Sequence, residues 1–126
     1  MASMTDYLEN KLRDHTLRNI AYTSPTTVYQ GLFTTATTDA GGGTEVTGGS
    51  YARQAVAFGA GSAGEASSTA VVSYASMPGV TVTHSALFDA LSGGNMLLHA
   101  QLTAPKTVAA GATLQFPVGD IDATFT

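Results

Sequence analysis

Cysteine is absent from this chain, so neither a disulfide nor a thiolate metal site can form, and the redox compartment stays open. Tryptophan is missing too, and with it the strongest aromatic wall for a carbohydrate-processing cleft. Charge is scarce: Lys, Arg, Asp and Glu make up 11% of the residues and the formal net charge is −4. With no basic patch to neutralise phosphates, nucleic-acid binding is not expected. No apolar run approaches the ~18 residues of a membrane-spanning helix, and the N-terminus lacks the apolar core of a signal peptide, so no membrane partner is expected.

Ala, Thr, Gly and Ser fill half of the 126 residues. Small and β-branched residues suit closely spaced strands and short turns, and they make poor long helices. The length fits one domain with a real core.

The most strongly patterned stretch is Val80 to Leu102. Val82, His84, Ala86 and Phe88 alternate with Thr81, Thr83, Ser85 and Leu87, then Met96, Leu98 and Ala100 alternate with Leu97, His99 and Gln101. A period of two predicts a β-hairpin with one core face and one wet face. A loop of Ser92, Gly93 and Gly94 pairs Leu91 with Asn95, Phe88 with Leu98 and Ala86 with Ala100. In that register His84 and His99 point to opposite faces, and a slip of one residue would bury His99.

Thr5 to Asn19 is the one helical candidate, with Met4, Leu8, Leu12 and His15 on a narrow stripe. Ser3 with Asp6, or Thr5 alone, supplies the N-cap. The first residues, Met1-Ala-Ser-Met4, read as a leader ahead of a start at Met4. Strand patterns follow at Thr26–Phe33, which is apolar on both faces, then at Tyr51–Phe58, Thr69–Ala75, Thr113–Val118 and Ile121–Phe125. A short extended piece lies between Pro105 and Gly111, and the Gly-rich segments Thr34–Ser50 and Gly59–Ser68 read as mobile surface loops. About seven strands without interleaved helices predict an all-β fold, a jelly-roll-like antiparallel β-sandwich with one short N-terminal helix. Residues 1–22 are expected to form an arm and residues 23–126 the sandwich.

Several motifs look chemical and fail on inspection. Gly59-Ala-Gly61-Ser-Ala-Gly64 is a literal G-x-G-x-x-G, but its sequel is strand-like and residue 84 is His where the dinucleotide fingerprint needs an acid. Ser85 and His84 are neighbours on a strand and face apart, so with Asp89 they make no nucleophile–base pair. Asp120 and Asp122 share a strand face by spacing, yet carry no cleft around them. The three histidines do not converge, so no zinc or calcium site is expected and no cofactor is called for.

The series VTH-x-ALFDA-x-SGGN-x-LLH-x-x-LT-x-PKTV resembles a family of short tailed-bacteriophage virion proteins. Asp6-Tyr-Leu-Glu-Asn, Tyr22-Thr-x-Pro25-Thr-Thr-Val-Tyr and Asp39-Ala-Gly-Gly-Gly-Thr-Glu-Val extend the resemblance over nearly the whole chain. Members usually carry Trp-Gly before the Val-Thr-His, where this chain has Met77-Pro78-Gly79-Val80. Proteins of this kind are labelled tail-fibre proteins or resemble head decoration (cement) proteins, and none has catalytic residues to carry over. The resemblance implies a non-enzymatic capsid decoration protein that binds the major capsid protein on the virion exterior as a homotrimer. The second expectation is a tail-fibre or tail-tip protein that binds a host surface, with Tyr51 as its loop aromatic. Met4, Leu8, Leu12 and His15 are the expected partner-binding residues, because so narrow a stripe must dock on something.

Overall fold

The computed structural model describes residues 3–125. Two residues, β1 (Ser3–Met4), lead into helix α1 (Asp6–Leu17), and eight further strands follow: β2 (Val28–Phe33), β3 (Gln54–Val56), β4 (Glu65–Ser67), β5 (Val72–Tyr74), β6 (Val80–Phe88), β7 (Met96–Val108), β8 (Leu114–Phe116) and β9 (Asp122–Thr124). The fold is all-β with one helix and antiparallel pairing throughout. One sheet has the order β1-β7-β6-β2-β3, and two separate ribbons, β4-β9 and β5-β8, complete the strand set. The described residues thus hold nine strands rather than about seven: the additions are β1, ahead of the helix, and β4, which lies in the Gly59–Ser68 segment expected to be a loop.

The main core joins Leu32, Val82, Leu87 and Leu98 of the large sheet to Tyr74 and Phe116 of one ribbon, Ala123 of the other, and Leu8 of α1. Tyr74 is its centre, edge-on to Phe116 and stacked on Tyr51, with its hydroxyl 2.7 Å from Gln30 Oε1 and 2.9 Å from the Gln30 carbonyl. The one phenolic proton thus always has an acceptor, which is what allows the hydroxyl to be this deeply buried. A smaller cluster of Phe33, Ala86, Phe88 and Met96 occupies the other face of the hairpin. The hairpin therefore has no wet face at its tip, contrary to the simple alternation.

The register differs from expectation by one residue. Ala86 pairs with His99 and Leu87 with Leu98, while Phe88 pairs with Met96 across a bulge. The extra residue is Leu97, and its insertion puts Leu97 and Leu98, neighbours in sequence, into the same core. A second irregularity, between Val82 and His84, leaves Pro105 in a stretch of β7 where its missing N–H breaks no ladder pair. At the tip, Asp89 replaces Leu91 as the partner of Asn95: its carboxylate accepts from the Asn95 backbone N–H at 2.7 Å and from Asn95 Nδ2 at 3.0 Å. Those bonds set a wider loop, in which Gly93 and Gly94 take positive φ.

Residues 3–22 pack on the rest of the domain. β1 pairs with β7, and Thr5 caps α1 by accepting from the Leu8 N–H. Thr5 Oγ1 also donates toward the Met96 carbonyl at 2.7 Å, so the cap is tied to the hairpin. Ser3, the alternative cap, lies in β1.

Candidate functional site

The long Gly-rich segment before Tyr51 is not loose. It folds back so that Val46 enters the main core and Glu45 meets Arg53. Arg53 is 9% exposed and uses most of its donors: Nε and Nη2 each reach a Glu45 carboxylate oxygen at 2.9 Å, and Nη1 donates to the carbonyls of Ala90 at 3.0 Å and Gly93 at 2.8 Å. Its guanidinium lies 3.6 Å from the ring centroid of Phe88, which stacks on Phe33. One arginine thereby fastens the Gly-rich segment and the hairpin tip to the large sheet. Burial works to raise the Glu45 pKa, but hydrogen bonds from Arg53 and Tyr51 outweigh it and hold the carboxyl below its ordinary value. Burial likewise pushes the Tyr51 phenol well above its usual range, and Glu45, which accepts its proton at 2.7 Å, adds to that shift.

Beside this knot opens a cleft of about 570 Å³, floored by Phe33 and Phe88 and rimmed by Asp6, Asp39, Gly42 and Asn95. Its chemistry is that of acceptors around an apolar floor. Glu45, which lines the cleft, is held below its ordinary carboxyl pKa and tied on both oxygens, so it is a poor general acid. Among the described residues no group of three His, Cys, Asp or Glu side chains converges as metal ligands.

A second, apolar pocket of about 270 Å³ lies where α1 meets the β4-β9 ribbon, walled by Leu8, Leu12, Tyr22, Leu97, Ala66 and Phe125. This is where the structure places two residues of the expected partner-binding stripe. Leu8 is 4% exposed and belongs to the core, while Leu12 and Met4 are half-buried against it. His15 stands apart on the surface, its Nδ1 3.3 Å from the Ile20 carbonyl. The stripe therefore docks on its own domain, and what it leaves accessible is the pocket.

The remaining motif residues are scattered. His84 and His99 share one face, because the slipped register pairs Ala86 with His99 and His84 with Gln101. This corrects the opposite-face expectation. His99 is nearly buried, bonded to Thr37 Oγ1 at 2.9 Å and to Asp39 Oδ1 at 2.8 Å, while His84 contacts Thr83 Oγ1. Ser85 pairs with Leu32 and His84 with Phe33, so they do face apart. Asp120 lies in the turn before β9, off the strand that carries Asp122, and Asp122 accepts from Ser67 Oγ. Gly61 and Gly64 flank a tight turn that feeds β4, where the dinucleotide motif would need a helix. Tyr51 is no exposed loop aromatic, since its hydroxyl also accepts from the Leu32 N–H at 2.9 Å.

Sequence reasoning missed the Glu45–Arg53 pair. A signal was present: in so uncharged a chain, one acid and one base stand alone on either side of a Gly-Gly turn, eight positions apart. Such isolated opposite charges are candidates for pairing.

The described residues form an all-β domain in which the Glu45–Arg53 pair ties the Gly-rich segment to the hairpin tip. The chain matches the family model described as Podophage GP4 fiber I protein gp80 over residues 3–124, and it belongs to that family. It is accordingly a bacteriophage structural protein whose place is the virion. Among curated proteins no sequence matches the chain.

Proposed function

We propose that the chain is a non-catalytic subunit of the phage tail-fibre apparatus, assembled as a homo-oligomer, most simply a trimer. The observation that carries this reading is the fibre-family match, which spans all but the last of the described residues. The construction of the domain supports it. Arg53 braces the Gly-rich segment and the hairpin tip into one rigid end, where the polar cleft offers Asp6, Asp39 and Asn95 to a hydroxylated host-surface ligand. Rigid loops suit a receptor-facing surface, since ordering them on contact would cost affinity.

Head decoration by binding the major capsid protein is the competing location for the same fold. Gold-labelled antibody against the chain, imaged on intact virions by electron microscopy, separates the two. Label at the tail supports the fibre reading, and label spread over the capsid facets overturns it in favour of decoration. Hydrolysis of host surface polysaccharide by the purified protein would overturn the non-catalytic part.

A further inference from the structure

Two polar side chains on the core face of the large sheet keep bonding capacity unused. Gln30 pairs with Leu87 and Ser85 with Leu32, so both face the side on which Leu32 and Leu87 join the core. Gln30 is 1% exposed, and its Oε1 lies 2.7 Å from the Tyr74 hydroxyl. Its Nε2 has no acceptor among the described residues, and turning the amide over would only exchange a free donor for a free acceptor. Thr124 Oγ1 is sealed in without a partner among those residues, whereas Gln30 opens onto a pocket that Ser85 also lines. An unpaired amide end at such depth costs free energy, so a ligand that fills the pocket and bonds it is favoured.

The pocket, about 200 Å³, lies against the irregular stretch of β7. Between the pairs His84–Gln101 and Val82–Lys106, Thr83 alone stands opposite Leu102 to Pro105, and the surplus residues bend β7 at the pocket wall. The facing wall is the turn that ends at Asp120 and the start of β9. Ser68 pins it: its carbonyl accepts from the Gly119 N–H at 2.9 Å, and its own N–H donates to the Ile121 carbonyl at 2.9 Å. That wall is set before any ligand arrives, which lowers the ordering cost of binding.

Lys106, Asp120 and Asp122 border the same space, and none of them forms an ion pair among the described residues. The two aspartates thus do border a cavity, contrary to the expectation from their spacing. Donors and acceptors are mixed around it. A phosphate or carboxylate would meet the aspartates, and a simple cation would meet Lys106. An amino-acid zwitterion would have to shed the water of both charges over a floor made of a neutral amide and a hydroxyl. A hydroxyl both donates and accepts, so a neutral ligand carrying several of them suits every group present. The space far exceeds the ~10–15 Å³ that admits one water and falls short of the ~300–1,000 Å³ of drug-sized ligands. It has room for a single ring.

We infer that this pocket binds one neutral sugar residue. It opens on the opposite face of the large sheet from the Phe33–Phe88 cleft, so the inference goes beyond the fibre reading and does not depend on it.

Heteronuclear NMR of the full chain, titrated singly with glucose, galactose, mannose and N-acetylglucosamine, tests it. At least one of these is expected to move the Gln30 side-chain amide and the Asp122 backbone resonance at millimolar concentration. Asp120→Ala changes only an exposed turn residue, so the thermal melt should stay where it is while the affinity falls about tenfold. An affinity undiminished in Asp120→Ala overturns the assignment to this pocket. Shifts confined to Phe33, Phe88 and Asn95 would put the sugar in the other cleft and overturn it too, as would the absence of any shift. Tighter binding of inorganic phosphate or glycine than of every sugar would overturn the neutral ligand class.

Discussion

Arg53 grips both carboxylate oxygens of Glu45, Nε and Nη2 each at 2.9 Å, so residues eight apart in sequence close the Gly-rich segment like a clasp. Because the same guanidinium bonds the Ala90 and Gly93 carbonyls, the clasp also holds the hairpin tip.

Arg53→Ala is therefore expected to cost about 3–5 kcal/mol, since it leaves a half-buried carboxylate and two carbonyls without their partner. Arg53→Lys should recover only part of this, because an ammonium cannot bond both oxygens in the same fork. Urea titration of the three proteins checks both statements. A loss below about 1 kcal/mol for Arg53→Ala would show that the clasp is ornamental.

Acid should loosen the same end. The Glu45 pKa is lowered in the folded state from an ordinary value of 4.5, so its stabilisation is complete above that pH and fades as pH falls through the lower folded value. Glu45→Gln is expected to be less stable at neutral pH and to show a flatter decline below about pH 4.5 than the wild type. Stability curves between neutral and strongly acidic pH measure the difference, and parallel curves would refute it.

Gly31 lies under the clasp: a Cβ there would stand 3.0 Å from Glu45 Oε2 and 3.1 Å from Phe88 Cε1. Gly31→Ala should destabilise by about 1–3 kcal/mol through this crowding. In Arg53→Ala the crowded carboxylate is free to swing away, so the two losses are expected to be less than additive. A double-mutant cycle in urea reports the coupling, and strict additivity would contradict it.

The hairpin register has its own test. His99 is 14% exposed in its side chain and bonds Thr37 and Asp39, so His99→Ala should cost about 1–3 kcal/mol. Leu91→Ala, at an exposed tip residue, should cost under about 0.5 kcal/mol. Under the one-residue-shifted register His99 would point to water and the two losses would be alike.

Much of this molecule was legible before folding. Alternation at Val80–Phe88, the capping threonine before Tyr7 and Leu8, and glycines at turns express local steric and hydrogen-bonding preferences, which hold whatever the chain later packs against. Tertiary structure decided the rest for identifiable reasons. The hairpin slipped by one residue because Asp89 bonds Asn95 twice and because the bulge at Leu97 buries two consecutive leucines in one core, a gain that strict alternation cannot express. The stripe on α1 turned inward, with Leu8 joining the core and Met4 and Leu12 packed against it, because the apolar partners it meets there come from distant parts of the chain. The Glu45–Arg53 clasp and the pocket beneath Leu12 exist only where distant segments meet, and neither local propensity nor periodicity carries information about which segments those are.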